Sequence, residues 1–413
     1  MKRHILTIGL ALCVLSVNAA TTLSGRFRSV TLPSGKTTAV FSMAQDPYGF
    51  IWMGTDDGLA RYDGYGFKIY RWEMGDSLSL ANNIVNALLY DSVRSCLYVG
   101  TDKGVCIYDS ETDSFHMMPG TAGRHVKAFL SEGDDLYIAT TTGLLKRMGN
   151  HTDTILEGHF TSIRKVRGSI WASSYGCIYD ITDGTENHDL TGILKNKDVL
   201  VLDICEDLTD STALWLGTEK GLFHYRPAER KADRHHLPNT PVKTFRYSGT
   251  DLWIGSDNGL IVMGRNEDMD LFRHKVGESA SIPNNVVWNI MEDHSGNIWL
   301  GTDHGVAVSD IGYPYKYIGV DMLTGLTEGL DVSVLKTDRD GYLWLGGRNG
   351  LIRSRPGHDD GIWLKADSGH GRLSHNKVRG LHDDGQNMWI ISDGGLDIYR
   401  YDTGRIMHRT IIT

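Results

Sequence analysis

A nine-residue phrase returns along the whole chain and decides what it can fold into. Ile51-Trp52-Met53-Gly54-Thr55, followed by Gly58-Leu59, recurs as Leu214-Trp215-Leu216-Gly217-Thr218 with Gly221-Leu222. It returns at Leu252-Trp253-Ile254-Gly255-Ser256, at Ile298-Trp299-Leu300-Gly301-Thr302 and at Leu343-Trp344-Leu345-Gly346-Gly347. Weaker copies begin at Leu97, Leu136, Ile170 and Met388, which makes nine units. Their period of about 40 residues lies in the range of solenoids and propellers.

Each unit reads as strands. In the seventh, Val286 to Glu292 is an apolar run, and Asp293-His294-Ser295-Gly296 is a turn with Asp to start it and Gly to take positive φ. A second strand then covers Asn297 to Thr302, and a third runs from Val306 to Asp310. Phe67 to Tyr70 and Ser114 to Met117 supply a fourth, outer strand in the first two units. Four short antiparallel strands at this period describe a propeller blade, with the repeated Trp filling the space between blades. No unit carries a 3.6-residue apolar period, so a helical repeat is excluded. Glycine agrees: 48 Gly against 9 Pro suits many tight turns.

Propellers usually close at four to eight blades, so nine units divide. Arg26 to Val30 precede the first unit as a lone outer strand, and Tyr315 to Val320 precede the eighth in the same way. The expected fold is all-β: a seven-bladed propeller over residues 21–314, then the first two blades of a second, incomplete propeller over 315–413. In that arrangement the Phe27 strand completes the seventh blade and removes a sheet edge.

Residues 1–20 read as a signal peptide. Lys2, Arg3 and His4 lead an apolar stretch from Ile5 to Val17, and Val17-Asn18-Ala19-Ala20 offers the small residues of a cleavage site. Leu12 before Cys13 argues against a lipid anchor. The expected location is the periplasm. Export permits disulfides, but Cys96, Cys106, Cys177 and Cys205 are irregularly spaced and hold no CxxC pair. They read as small buried hydrophobes, with a Cys96–Cys106 bridge left open. Neither a metal nor any other cofactor is expected. A formal charge of −9, from 42 basic and 51 acidic residues, argues against nucleic acid as a partner.

The unit Asp293-x-x-Gly296-x-Ile298-Trp299-Leu300-Gly301-Thr302-x-x-Gly305-Val306 resembles the two-component regulator propeller repeat. Gln45 to Thr55 with Gly58 to Gly64, and the flanks Asp76 to Val85 and Ser281 to Val287, sharpen the resemblance, which covers nearly the whole chain after residue 20. It implies the exported sensor half of a hybrid two-component regulator of gut Bacteroidetes, with any membrane link made through a C-terminal part beyond this chain. The implied role is a module that detects an oligosaccharide or glycan breakdown product. No kinase phosphoacceptor segment or ATP-binding glycine box is found, so the chain is not expected to be an enzyme by itself.

Ligands usually meet a propeller on the face that carries the turns between second and third strands. The candidate ligand residues there are Asp57, Lys103, Arg124, Lys220, Asn258 and His304. Trp72 joins them. It lies outside the repeat position, beside the long segment Glu73 to Asn83, and an exposed Trp can stack on a sugar. Trp288 and Trp363 also lie outside the repeat position. Two other functions stay open: a propeller-fold polysaccharide lyase or hydrolase, which needs two carboxylates set roughly 5–9 Å apart, and a protein-interaction scaffold. A second copy of the chain stays open as a partner.

Overall fold

The computed structural model describes residues 27–33, 38–194, 198–237, 240–276, 278, 280–309, 332–355, 361–367 and 372–409. The expected signal peptide, the boundary at 314–315 and the strand expected near Tyr317 lie outside the described residues.

The protein is an all-β propeller. The described residues form nine four-stranded sheets, and every paired strand is antiparallel to its neighbour. The first sheet runs Val40–Gln45, Ile51–Thr55, Gly58–Tyr62 and Phe67–Tyr70 in chain order. The inner strands of the next six sheets are Val85–Asp91, Val126–Glu132, Phe160–Val166, Val201–Glu206, Val242–Ser248 and Val287–Glu292. Each inner strand lies beside the next, and the seventh lies beside the first, so these seven sheets make a closed ring.

The seventh unit supplies only three strands to its own sheet. Its outer strand is Phe27–Val30, which pairs with Gly305–Ser309 in the register Phe27↔Ser309 to Val30↔Val306. Phe27 is buried and meets Phe272 edge-on, with ring centroids 5.7 Å apart. The two ends of the ring therefore share one sheet and leave no open edge at the seam.

Each residue of the repeated phrase has a local task. The Trp is buried: Trp52 and Trp253 are 1% exposed. Its indole Nε1 donates to the Asp that starts the preceding turn, at 2.8 Å in Trp52–Asp46, Trp299–Asp293 and Trp344–Asp338. A Cβ on Gly54 would sit 2.7 Å from the Val85 carbonyl oxygen, and one on Gly301 would sit 2.6 Å from that of Val40. Only glycine lets the next inner strand come so near, and the same contact holds across the seam. The Thr hydroxyl closes the following turn: Thr55 Oγ1 donates to the Gly58 carbonyl at 2.8 Å, where Gly58 has φ +113°. Apolar side chains of adjoining sheets then meet in shared cores, as Met53 and Val40 do with Trp299 and Val306.

The third and fourth units, which depart most from the phrase within the ring, still form complete sheets. Ala139 and Ser173 stand where the other units of the ring have glycine. The remaining two sheets have inner strands Val332–Thr337 and Val378–Asp383, and these two strands adjoin. Cys96, Cys106, Cys177 and Cys205 are free thiols. Burial pushes the Cys106 thiol up to about 11, so it is an inert hydrophobe rather than a nucleophile.

Candidate functional site

Every inner strand of the ring carries one extra residue. The register with the second strand slips between Val40 and Ser42, between Val85 and Ala87, and at the matching point in the other five sheets. A bulge re-aims the side chain at the slip. The residues placed there are Phe41, Asn86, Lys127 and Thr161 on one arc, and Leu202, Lys243 and Trp288 on the other. All seven line a central channel of about 460 Å³ to which every inner strand of the ring contributes.

The turns between second and third strands surround the bulges. In the first sheet their two residues face opposite ways. The first leans over the mouth of the channel. Asp56 Oδ1 accepts the Ala39 N–H at 3.2 Å, Asp102 Oδ1 accepts the Asn86 amide at 2.8 Å, and Asp257 Oδ1 is 3.0 Å from Lys243 Nζ. Asp303 accepts the Trp288 indole N–H, and Glu219 Oε2 accepts the Leu200 N–H at 3.3 Å. Of the second residues, Asp57 turns outward and pairs with Arg71 at 2.8 Å, while Lys220 and Asn258 accept Arg234 and Arg273 on their backbone carbonyls.

The mouth has an aromatic side. Lys243 Nζ sits 3.7 Å above the Trp288 ring, and Phe41 meets the same indole edge-on at 5.4 Å. A cation over an indole face is attractive, and more so where water is scarce. Across the channel lie Lys127, His125 and His159. Burial is the main force holding all three below their ordinary values. Lys127 lowers both histidines further, while Asp102 pulls His125 and Lys127 the other way. Deeper in the wall, Asp203 takes two hydrogen bonds from Arg164, at 2.8 Å each, and one from the Phe245 N–H at 3.1 Å. That carboxylate stitches the fourth, fifth and sixth sheets and is spent on structure.

None of the seven residues expected from sequence lines the channel cavity. Trp72 is 46% exposed in the loop after the first sheet, and its backbone N–H donates to Asn83 Oδ1 at 2.7 Å. Arg124 Nη1 donates to Thr142 Oγ1 at 2.8 Å, beside His125. Lys103 is exposed at the second turn position of the second sheet, and its carbonyl accepts the Gly123 N–H. His304 meets Asn284. Asp57 lies outward as described above, and Lys220 and Asn258 are held through their backbone carbonyls. The structure adds Trp288, Phe41, Lys243 and Lys127, and the signal for them is one position. It is the residue after the first Val or Phe of each inner strand, where six different residue types fill the seven bulges.

A larger cleft of about 720 Å³ opens between the first and second sheets, lined by Tyr48, Phe50, Trp52, Arg61, Tyr90 and Tyr108 among others. Arg61 lies 4.7 Å above Phe50 and donates to Tyr108 Oη. The eighth and ninth sheets rebuild this arrangement with Arg353 over Tyr342 at 3.4 Å and within 5.8 Å of Tyr399. Its recurrence at the same place in another unit marks it as sheet packing, so the channel mouth is the better site. Among the described residues, no group of three His, Cys, Asp or Glu is placed to hold a metal, and no helix is long and apolar enough to cross a membrane.

Residues 34–57 and 281–304 match the family model of the two component regulator propeller. The extracellular domain of a putative hybrid two component system from B. thetaiotaomicron is 28% identical over 93% of this chain and 53% of its own, with a TM-score of 0.61. That of a second such system from the same organism is 20% identical over 94% of this chain and 55% of its own, with a TM-score of 0.62, and shows the fold alone. A curated histidine kinase of Formosa agariphila is 43% identical over 56 residues, 13% of this chain and 4% of its own. The chain thus spans about half the length of these two solved structures.

Proposed function

We propose that this chain, a carrier of two-component regulator propeller repeats, is an exported sensor module that binds an oligosaccharide at the channel mouth of its seven-sheet ring. The observation that carries the reading is Trp288, which lines the channel beside Phe41 and Lys243, within a collar of carboxylates and amides. A sugar offers apolar C–H faces for an aromatic ring and hydroxyls for polar groups at its edge. Likeness over most of the chain to the extracellular domain of a hybrid two component system supports both the sensing role and the periplasmic location. Trp72, the turn residues Asp57, Lys103, Lys220, Asn258 and His304, and Arg124 of the loop between sheets stand as an outer wall of the same face.

The module binds rather than catalyses. Every carboxylate of the mouth is engaged by a donor from its own or a neighbouring sheet, so none stands ready as a general acid or base. Calorimetry of the full chain against a panel of plant and microbial oligosaccharides tests the reading. Binding by one class, lost in Trp288→Ala with the melting temperature kept, is the expected result. Binding that survives Trp288→Ala, or depolymerisation of a glycan by the chain, overturns it.

A further inference from the structure

We propose that the third and fourth sheets form an anion-binding sector of the channel mouth, so that the ligand carries a carboxylate or sulfate group. This rests on the mouth being the sensing site and adds the chemical class of what it senses. Around the rim, the first turn position is acidic in five sheets, as Asp56, Asp102, Glu219, Asp257 and Asp303. In the third and fourth sheets it is Thr141 and Tyr175. In those same sheets the residue before the inner strand is His125 and His159, where the other five have Ala39, Ile84, Leu200, Pro241 and Val286. Lys127 sits at the bulge of the third sheet, in the channel wall.

Three bases therefore share the one arc from which the rim acids are missing. A chain of net charge −9 does not supply that by composition. Acids flank this arc on both sides. Asp102 is 2.9 Å from His125 Nε2 and also accepts the Asn86 amide, Glu219 accepts the N–H of Leu200, which bridges Tyr175, and Glu157 is exposed on the outer side, by Gly143. Lys127 Nζ makes no ion pair with any described residue. His159 Nδ1 is buried with no hydrogen-bond partner, and its ring lies against Tyr175 at 4.9 Å. A buried donor or acceptor left unmade is costly, so a ligand group that supplies the partner gains that free energy. Arg124 and Lys103 extend the basic surface outward on the same side.

The sector also couples anion binding to protons. His125 and His159 are held below their ordinary values by burial and by Lys127, so an arriving anion raises them and draws protons in. Only the protonated rings favour an anion, so affinity rises as pH falls.

Calorimetry with three probes tests the sector: trigalacturonate, its fully methyl-esterified form, and tricarballylate, which has carboxylates but no sugar ring. The full chain should bind trigalacturonate at least about tenfold more tightly than the ester. The preference should vanish in Lys127→Met, shrink in His159→Gln, and grow from about pH 8 to about pH 6. Both variants should melt where the parent does. Equal binding of acid and ester, lost in Trp288→Ala, keeps the mouth as the sugar site and overturns the anion sector. Lys127-dependent binding of tricarballylate without binding of either saccharide keeps the sector and overturns the oligosaccharide reading. No binding of any probe overturns both.

Discussion

The first and eighth units begin from the same template, yet their inner strands live in different surroundings. In Val40–Gln45 four of the six residues are buried, and Met43 is 6% exposed. In Val332–Thr337 nearly every residue is open to solvent, and Leu335 is 59% exposed. Sheet pairing is equally good in both, down to the bulge after the first valine. The difference is the neighbour. The first strand is covered by the seventh sheet across the seam, whereas among the described residues nothing covers the eighth. The ninth sheet does cover the other face of the eighth, and there Trp344 is fully buried. The repeated phrase thus encodes a sheet with two sticky faces, and closure is a separate property that only the seven-sheet ring attains.

The comparison breaks most violently if the seam is cut. Deleting residues 27–32 removes Phe27, Val30 and Leu32, each worth about 1.5–3 kcal/mol of buried side chain. The ring should lose its cooperative thermal transition, and calorimetric melting checks it. A transition that stays single and unshifted means the ring does not depend on its clasp.

Charge insertion sharpens the contrast between the two inner strands. Met43→Asp places a carboxylate in the seam core and should cost about 3–5 kcal/mol by urea denaturation. Leu335→Asp, at the matching template position, should stay within about 0.5 kcal/mol and raise solubility. If Leu335→Asp proves as damaging as Met43→Asp, something covers the eighth sheet in solution.

Trp299→Ala should cost about 3–5 kcal/mol, because the cavity lies between sheets that cannot collapse. Trp72→Ala should cost less than about 0.5 kcal/mol, as its side chain stands in a loop. Equal costs would make Trp72 a packing residue and remove it from the outer wall.

A subtler effect belongs to the Asp beneath the repeated Trp. Burial alone would raise the Asp293 carboxyl, but hydrogen bonds from Trp299, Asn297 and Ser295 more than offset this and hold it below the ordinary carboxylate value. A carboxyl lowered on folding stabilises the fold above its unfolded value, and that contribution fades as pH falls through the folded one. Asp293→Asn should cost about 1.5–3 kcal/mol near neutral pH. The gap to the parent should close on acidification below about pH 4. A gap that is flat with pH would show that geometry, not charge, matters there.

Strand positions and the closing strand were legible because each rests on local chemistry: an Asp-x-x-Gly turn, a Trp, a glycine under a neighbouring backbone, and a lone strand before the first unit. The mouth of the channel was legible only in part. Asp56 and Asp57 are adjacent, and nothing in their spacing says that one leans inward while the other pairs with Arg71. The bulge hides the rest, because one extra residue moves the following side chains to the other face. Trp288 stood out as a Trp off the repeat, yet its place beside Lys243 depends on a strand from another unit.

The seam has a consequence in time. Phe27 and Ser309 are partners separated by 309 − 27 = 282 positions. While the chain emerges from the ribosome, its first strand has no companion until the seventh unit has been made. Contacts between such distant positions are slow to form, and the waiting edge is a place where a second chain can attach. Synthesis order therefore leaves this molecule unfinished until residue 309 is available, and a chaperone that shields the first strand should raise the yield of folded protein more than one that acts on any later segment.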